Sequence, residues 1–116
     1  MENINLQEYF TELIFRKLDK ELKDYKATKL FLRPEELFNC AYEIDSYINI
    51  YETLIDCIEE LESAQLLGLL IIPNILSFFY DQWLNFEDSR AEEMVVAINE
   101  IIKRQQVVGN MVKQQL

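Results

Sequence analysis

The segment Leu66–Phe86, LLGLLIIPNILSFFYDQWLNF, contains the densest apolar and aromatic sequence in the chain and decides the fold. No charged residue lies between Ser63 and Tyr80. Pro73 divides the segment, because proline lacks a backbone N–H and fits best in the first turn of a new helix. We therefore predict two buried helices that meet at Pro73 and form the central layer. A membrane span is not predicted, since the uninterrupted apolar run is much shorter than the roughly 20 residues that a bilayer requires.

Length and composition indicate one all-α domain that spans residues 1–116. A chain of 116 residues has the size of a single domain, and 50% of it is hydrophobic. Two Gly and two Pro residues leave little material for the tight turns of β-hairpins. We predict a compact bundle of five to six helices with a long C-terminal helix. No signal peptide is visible, and Cys40 and Cys57 are interpreted as reduced thiols of a cytoplasmic protein.

Apolar residues at helical spacing predict a first helix near the N-terminus. It begins after Asn5, whose side chain is suited to cap it, and continues to about Tyr25 with Glu21 on its solvent side. The basic segment 26–33 follows. We expect its apolar residues 30–32 to pack onto the core.

The next helical segment begins with Pro34, again at a first helical position. Its apolar residues repeat at spacings of three and four. This pattern predicts either one helix to about Leu61 or two helices that meet near Asp45–Asn49. Ser63 is then expected to cap the helix that contains Leu66.

The last helix is predicted to begin after Ser89, which can form a capping box with Glu92, and residues 109–116 are expected to fray. Its apolar seam is narrow, which fits packing onto the domain and equally fits pairing with a second copy. The candidate residues for self-association are Ile98, Ile101, Ile102 and Val108.

An aromatic cluster between residues 78 and 86 has two interpretations. The first is packing between helices in the core. The second is a partner-binding hot spot at Tyr80 and Trp83, because Trp and Tyr are enriched at such sites.

The charge distribution is the most unusual property of the chain. The net charge is −10, and residues 34–102 contain fifteen acidic residues and one basic residue, Arg90. Such a balance argues against direct binding of nucleic acid. Helical spacing places one group of acids opposite the apolar stripe of its helix: Asp45, Glu52, Asp56, Glu59 and Glu60. Like charges four residues apart cost about 0.2–0.5 kcal/mol each, so this face is either a solubilising surface or a docking surface for a basic partner.

Catalytic and cofactor signatures are missing from the sequence. The chain has no His, its two Cys are isolated, and neither a glycine-rich phosphate loop nor a calcium-binding loop is present. We therefore predict no enzyme activity, no metal site and no cofactor.

Two groups of residues resemble a small domain-of-unknown-function family carried on mobile elements of low-GC Gram-positive bacteria. The first group is Pro34, Glu36, Leu37, Ala41, Tyr42 and Glu43. The second group is Leu69, Leu70, Leu76, Tyr80 and Trp83. The similarity covers roughly residues 10–86 and implies a mobile-element setting, in which small acidic proteins often inhibit host defence systems.

We therefore expect a non-enzymatic protein-binding module that inhibits a host nucleic-acid-handling defence protein, in the manner of an anti-CRISPR protein. Its acidic helix face would mimic nucleic-acid phosphates and bind a basic partner, such as a nuclease. Two alternatives remain: a structural or regulatory homodimer formed through the C-terminal helix, and an antitoxin-like partner of a basic toxin.

Overall fold

Helices make up most of the backbone in the computed structural model, which describes residues 5–85 and 94–115. In chain order they are α1 (Leu6–Lys29), α2 (Pro34–Asn39), α3 (Ala41–Cys57), a 3₁₀ turn (Ile58–Glu60), α4 (Ser63–Leu70), α5 (Ile75–Leu84) and α6 (Met94–Lys113). Within these two ranges no strand occurs, and the predicted all-α bundle with a long C-terminal helix is confirmed. The expected capping box of Ser89 with Glu92 lies outside the described residues.

α4 and α5 form the centre of the core, as the sequence predicts. Five of their side chains are fully buried: Leu66, Leu69, Ile75, Leu76 and Phe79. The two helices are bent by 94° at the break that contains Pro73. Because of this bend they meet different neighbours, and α4 packs mainly on α6 and α1 while α5 packs mainly on α3. No single helix in the described part of the chain is long and apolar enough to cross a membrane, although α4 and α5 together have sufficient length and apolar composition.

The only two glycines of the chain lie where α4 and α6 cross. A Cβ atom on Gly68 would lie 2.3 Å from the carbonyl oxygen of Gln105. A Cβ atom on Gly109 would lie 1.8 Å from the carbonyl oxygen of Ala64. Both distances are shorter than any van der Waals contact, so the two helices are in direct backbone contact and only glycine fits at these positions.

The crossing of α4 and α6 also explains why α6 remains helical close to the C-terminus. α6 passes through the buried Gly109 and ends at Lys113, whose Nζ donates a hydrogen bond to Ser63 Oγ at 2.8 Å. The segment that was expected to fray from residue 109 is therefore helical as far as Lys113, where α4 packs against α6.

Two helix starts were predicted from capping residues, with different outcomes. Asn5 caps α1 as expected, and its Oδ1 accepts a hydrogen bond from the N–H of Glu8 at 3.2 Å. α4 begins one residue earlier than predicted, because Glu62 and not Ser63 is the N-cap. The N–H of Glu62 donates to Oε1 of Gln65 at 2.9 Å, which anchors that start.

Neither predicted arrangement of residues 34–62 is found. The break lies at Cys40, where the N–H donates to the carbonyl oxygens of Glu36 and Leu37 and closes α2 after six residues. α3 then continues without interruption through Asp45–Asn49. Its apolar spacing is unbroken there, so burial of one continuous stripe keeps the helix intact.

The connection between α1 and α2 does not pack onto the core. α1 continues to Lys29, beyond its predicted end, and Leu30 and Phe31 are exposed. The expectation that these two residues are buried is wrong, whereas Leu32, the third residue of the expected set, is half-buried. Leu37 and Phe38 of the adjoining α2 are exposed as well, so α2 does not bury this connection.

Candidate partner-binding surface

Five exposed carboxylates lie along α3 and the 3₁₀ turn that follows it. We call them the acidic surface, and they are Asp45, Glu52, Asp56, Glu59 and Glu60. At 100° per residue, the three on α3 fall within about 40° of arc. Ile50 and Leu54, on the other side of α3, are fully buried in the core. The helix is therefore amphipathic, and its polar side carries one sign of charge.

No described cation forms an ion pair with the acidic surface. Four cations of α1 pair with acids elsewhere: Arg16 with Glu12, Lys20 with Asp24 at 2.7 Å, Lys17 with Glu21 at 3.6 Å, and Lys29 with Glu43 at 3.3 Å. The side-chain hydrogen bond to Asp45 comes from the neutral Asn49 Nδ2 at 3.2 Å. The charge of the acidic surface is thus not neutralised by the described residues of the protein itself.

At one end, the acidic surface borders an open groove between α1 and the 3₁₀ turn. The groove has a volume of about 440 Å³ and is lined by Glu8, Glu12, Glu59 and the half-buried ring of Phe15. An apolar floor with carboxylates around it is a suitable environment for a Lys or Arg side chain, which combines an aliphatic stem with a cationic head.

Three tyrosines connect α1, α3 and α5 on another side of the molecule. The rings of Tyr25 and Tyr47 are stacked with centroids 3.9 Å apart, and Tyr80 lies 5.1 Å from Tyr47. Tyr25 Oη donates to Glu43 Oε1 at 2.7 Å, and Lys29 Nζ lies 5.2 Å from the centre of the Tyr25 ring. These contacts join three helices through side chains that keep a polar end in solvent.

The pKa values of four tyrosines lie above the ordinary value. Burial, followed by the hydrogen bond to a carboxylate, raises the pKa of Tyr25. Burial is also the main cause of the raised pKa of Tyr47 and of Tyr80. A hydrogen bond to Asp19 is the first cause of the raised pKa of Tyr51. All four hydroxyls therefore stay protonated at neutral pH, as structural hydrogen-bond donors do.

A side-chain cap that the sequence analysis missed holds the start of α5. Glu21 of α1 is 9% exposed, and its Oε2 and Oε1 accept hydrogen bonds from the N–H groups of Ile75 at 3.0 Å and Leu76 at 2.9 Å. Asn74 Oδ1 accepts from the N–H of Ser77 at 2.9 Å. The first three N–H groups of α5 are therefore satisfied, two of them by a carboxylate 54 and 55 residues away in the sequence.

The prediction that Glu21 lies on the solvent side is wrong, and its spacing carried a signal. Ile14, Leu18, Glu21 and Tyr25 follow the i, i+4, i+7, i+11 pattern of one helix face. An acid on the apolar face of a helix requires a buried donor. Which donor it meets is decided by tertiary packing, and the sequence alone does not reveal it.

The residues proposed for self-association are used mainly inside the protein. Ile98, Ile101 and Ile102 are buried in the core, in the apolar cluster that α6 shares with α4 and α5. Only Val108 of the predicted set is exposed. An interface between copies through the three isoleucines is therefore a wrong prediction, because those side chains already have partners in their own chain.

The proposed aromatic hot spot is also largely internal. Trp83 is 3% exposed, and its Nε1 donates to Tyr42 Oη at 3.2 Å. Tyr80 is half-buried against Tyr47. Of the two interpretations of the aromatic cluster, the structure thus supports packing between helices.

The described ranges contain neither a metal site nor a reactive thiol. No group of three potential ligands is present there. Cys40 and Cys57 are unpaired thiols, and burial raises the pKa of Cys57, which disfavours the reactive thiolate.

Comparisons with known proteins return no relative of this chain. No family model, no curated protein and no solved structure matches it. The class that the fold and the surface define is an all-α protein with an acidic helix face that no described cation neutralises.

Proposed function

We propose that this chain is a non-enzymatic, cytoplasmic protein-binding module that inhibits a basic, nucleic-acid-handling protein. The observation that supports this function is the acidic surface: five exposed carboxylates that no described cation neutralises. Like charges placed together reduce helix stability. A partner that supplies the missing cations would relieve that repulsion when it binds.

The binding mode follows from the geometry of α3. Asp45 on α3 and Glu60 on the 3₁₀ turn that follows it are 15 residues apart, or about 22 Å at the α-helical rise of 1.5 Å per residue. The five carboxylates have a mean spacing of about 5–6 Å over this length, compared with one phosphate for about every 3.4 Å along a DNA strand. A Lys/Arg-lined groove built for phosphates would therefore accept the acidic surface in place of its substrate, and electrostatic attraction would accelerate the association.

The class of target is part of the proposal. The resemblance to mobile-element proteins makes a host defence nuclease of the CRISPR type the first candidate. An antitoxin-like role would use the same surface against a basic toxin, and the variants below test both targets.

The experiment reverses charge on the acidic surface with Glu52→Lys, Asp56→Lys and Glu60→Lys in one chain. Its matched control reverses three exposed acids elsewhere, Asp24→Lys, Asp81→Lys and Glu100→Lys, so that both variants have the same net charge.

The first assay measures inhibition of target-DNA cleavage by purified CRISPR effector nucleases. The second measures partner affinity between about 50 and 300 mM salt, a range over which the screening of charges changes strongly. We expect the parent to inhibit with an affinity that falls as salt rises. The acidic-surface variant should lose at least about 100-fold, as for several desolvated charge contacts, and the control much less. Equal losses in both variants, or unchanged inhibition by the first, would show that the surface only solubilises the protein.

A further inference from the structure

One end of the protein carries large apolar side chains that its own fold leaves open. Their exposed fractions are 93% for Phe31, 80% for Phe38, 75% for Leu30 and 37% for Leu37. We call these four residues the apolar end patch. Leu30 and Leu37 line the same groove, of about 310 Å³, with the half-buried Tyr25 and Ile44. Single exposed apolar residues are common on protein surfaces, but a cluster within nine residues of sequence indicates an interaction site.

The rim of the apolar end patch carries charges of both signs. Lys26 and Arg33 are exposed cations, and Glu35 is an exposed carboxylate. None of the three forms an ion pair with another described residue. Lys29, which also lines the groove, is already paired with Glu43. The patch therefore combines an apolar centre with unpaired cations and an unpaired carboxylate.

We propose that the apolar end patch is the contact between two copies of this chain. In a two-fold contact the same surface meets itself, so each basic residue of one copy can face the acidic residue of the other. The rim of Lys26, Arg33 and Glu35 is self-complementary in this sense. An anionic membrane would instead meet Glu35 and a protein of net charge −10, both of which repel it.

The exposed apolar area supplies more than half of what such a contact buries on each copy. An aromatic side chain contributes about 150–250 Å², so two nearly exposed phenylalanines with two leucines give about 500 Å² of apolar surface per copy. With its charged rim, the patch approaches the roughly 800 Å² per partner of a stable interface.

A dimer of this kind leaves most of the acidic surface accessible. Glu52 lies eight residues beyond Ile44, or about 12 Å farther along α3, and Glu60 lies beyond that. Two acidic surfaces in one particle would allow bivalent binding, although the dimer itself is independent of the proposed inhibitory function.

The first test is sedimentation equilibrium of the full chain from about 5 to 500 μM, a range around typical weak dimers. One variant carries Phe31→Glu and Phe38→Glu. The control carries Val107→Glu, which changes an apolar residue of α6 that is 62% exposed. Circular dichroism verifies that both remain helical. We expect the parent and the control to dimerise, and the double variant to dimerise at least about 30-fold more weakly, as for the loss of interface anchors.

A second test uses the rim charges and does not depend on the aromatic variant. One chain carries Lys26→Glu and Arg33→Glu, and the other carries Glu35→Lys. Each alone should associate more weakly than the parent, because a symmetric contact would then oppose like charges. Mixing the two should restore association as a heterodimer.

Three results would overturn the proposal. The parent could remain a monomer at every concentration. Val107→Glu could abolish a dimer that the double variant retains, which would place the contact on α6. A monomeric parent could instead co-sediment with vesicles of phosphatidylcholine and phosphatidylserine. If the variant with Phe31→Glu and Phe38→Glu then no longer bound these vesicles, the patch would be a membrane site.

Discussion

Replacement of Gly109 by alanine tests the packing that holds the bundle together. In an exposed helix this substitution stabilises a protein by up to about 1 kcal/mol, because alanine restricts the unfolded chain and favours helix. In this structure the new Cβ would lie 1.8 Å from the carbonyl oxygen of Ala64 and 2.9 Å from the backbone nitrogen of Gly68. Both contacts are to backbone, so no side-chain rotation can relieve them, and α6 must move away from α4.

The expected size of the loss follows from that movement. Overpacking of a core costs typically about 1–3 kcal/mol when side chains can adjust, and a clash between backbones lies at or above the upper end. After subtraction of the helix-propensity gain, Gly109→Ala should lower the free energy of unfolding by at least about 2 kcal/mol. For a domain of this size that corresponds to a fall in Tm of about 8 °C or more.

The neighbouring residue supplies a matched control. Asn110 is exposed on α6, so Asn110→Ala should be neutral or slightly stabilising. Urea unfolding followed by circular dichroism measures both variants, and the dependence of the free energy on urea should match that of the parent. If Gly109→Ala is as stable as the parent or more stable, the backbones of α4 and α6 are not in contact and the described crossing is incorrect.

Three further predictions follow from the described contacts. Glu21→Gln removes a charged acceptor and turns an amide donor towards a backbone N–H of α5. Urea unfolding should therefore show that the free energy of unfolding falls by about 2–4 kcal/mol. The control Glu35→Gln, at an exposed position, should change stability little. The raised pKa of Tyr25 and three other tyrosines means that the folded state retains protons that the unfolded state releases at high pH. The contribution of these tyrosines to stability is therefore complete below about pH 10 and is lost as pH rises above it. Absorbance at 295 nm should therefore titrate at higher pH in the folded protein than in denaturant, and identical curves would contradict the cluster. Asp56→Lys replaces repulsion with attraction to Glu52 on α3 and should stabilise the fold by about 0.4–1 kcal/mol at low salt while it weakens partner binding; a loss of stability would show that Asp56 has a favourable contact within the fold.

The local parts of the fold could be predicted from the sequence. The break at Pro73 and the cap at Asn5 depend on backbone chemistry within a few residues, and both are found. The burial of the apolar helices on both sides of that break could also be predicted, because it depends on the local composition alone. The five carboxylates of the acidic surface are exposed, as helical spacing predicts.

The parts that failed depend on contacts between distant segments. The role of Glu21 requires knowledge of where α5 begins in space, and Gly109 reads as a helix breaker until its contact with α4 is known. The sequence predicts burial of Leu30 and Phe31 because apolar residues are usually buried, but none of the described helices covers them. The narrow seam of α6 fitted two interpretations equally, and only the position of α4 decides between them.

The stabilising contacts and the acidic surface occupy different parts of the molecule, and this separation favours a binding role for the acids. The carboxylate cap at Glu21 contributes on the order of 2 kcal/mol or more, whereas each like-charge pair on α3 costs about 0.2–0.5 kcal/mol. The fold can therefore carry the repulsion without unfolding. A solubilising face would need only scattered charges of either sign, and α1 has such a face, with alternating Lys and acidic residues. The concentration of one sign on the outer side of α3 is not needed for solubility, and the proposed cationic partner would account for it.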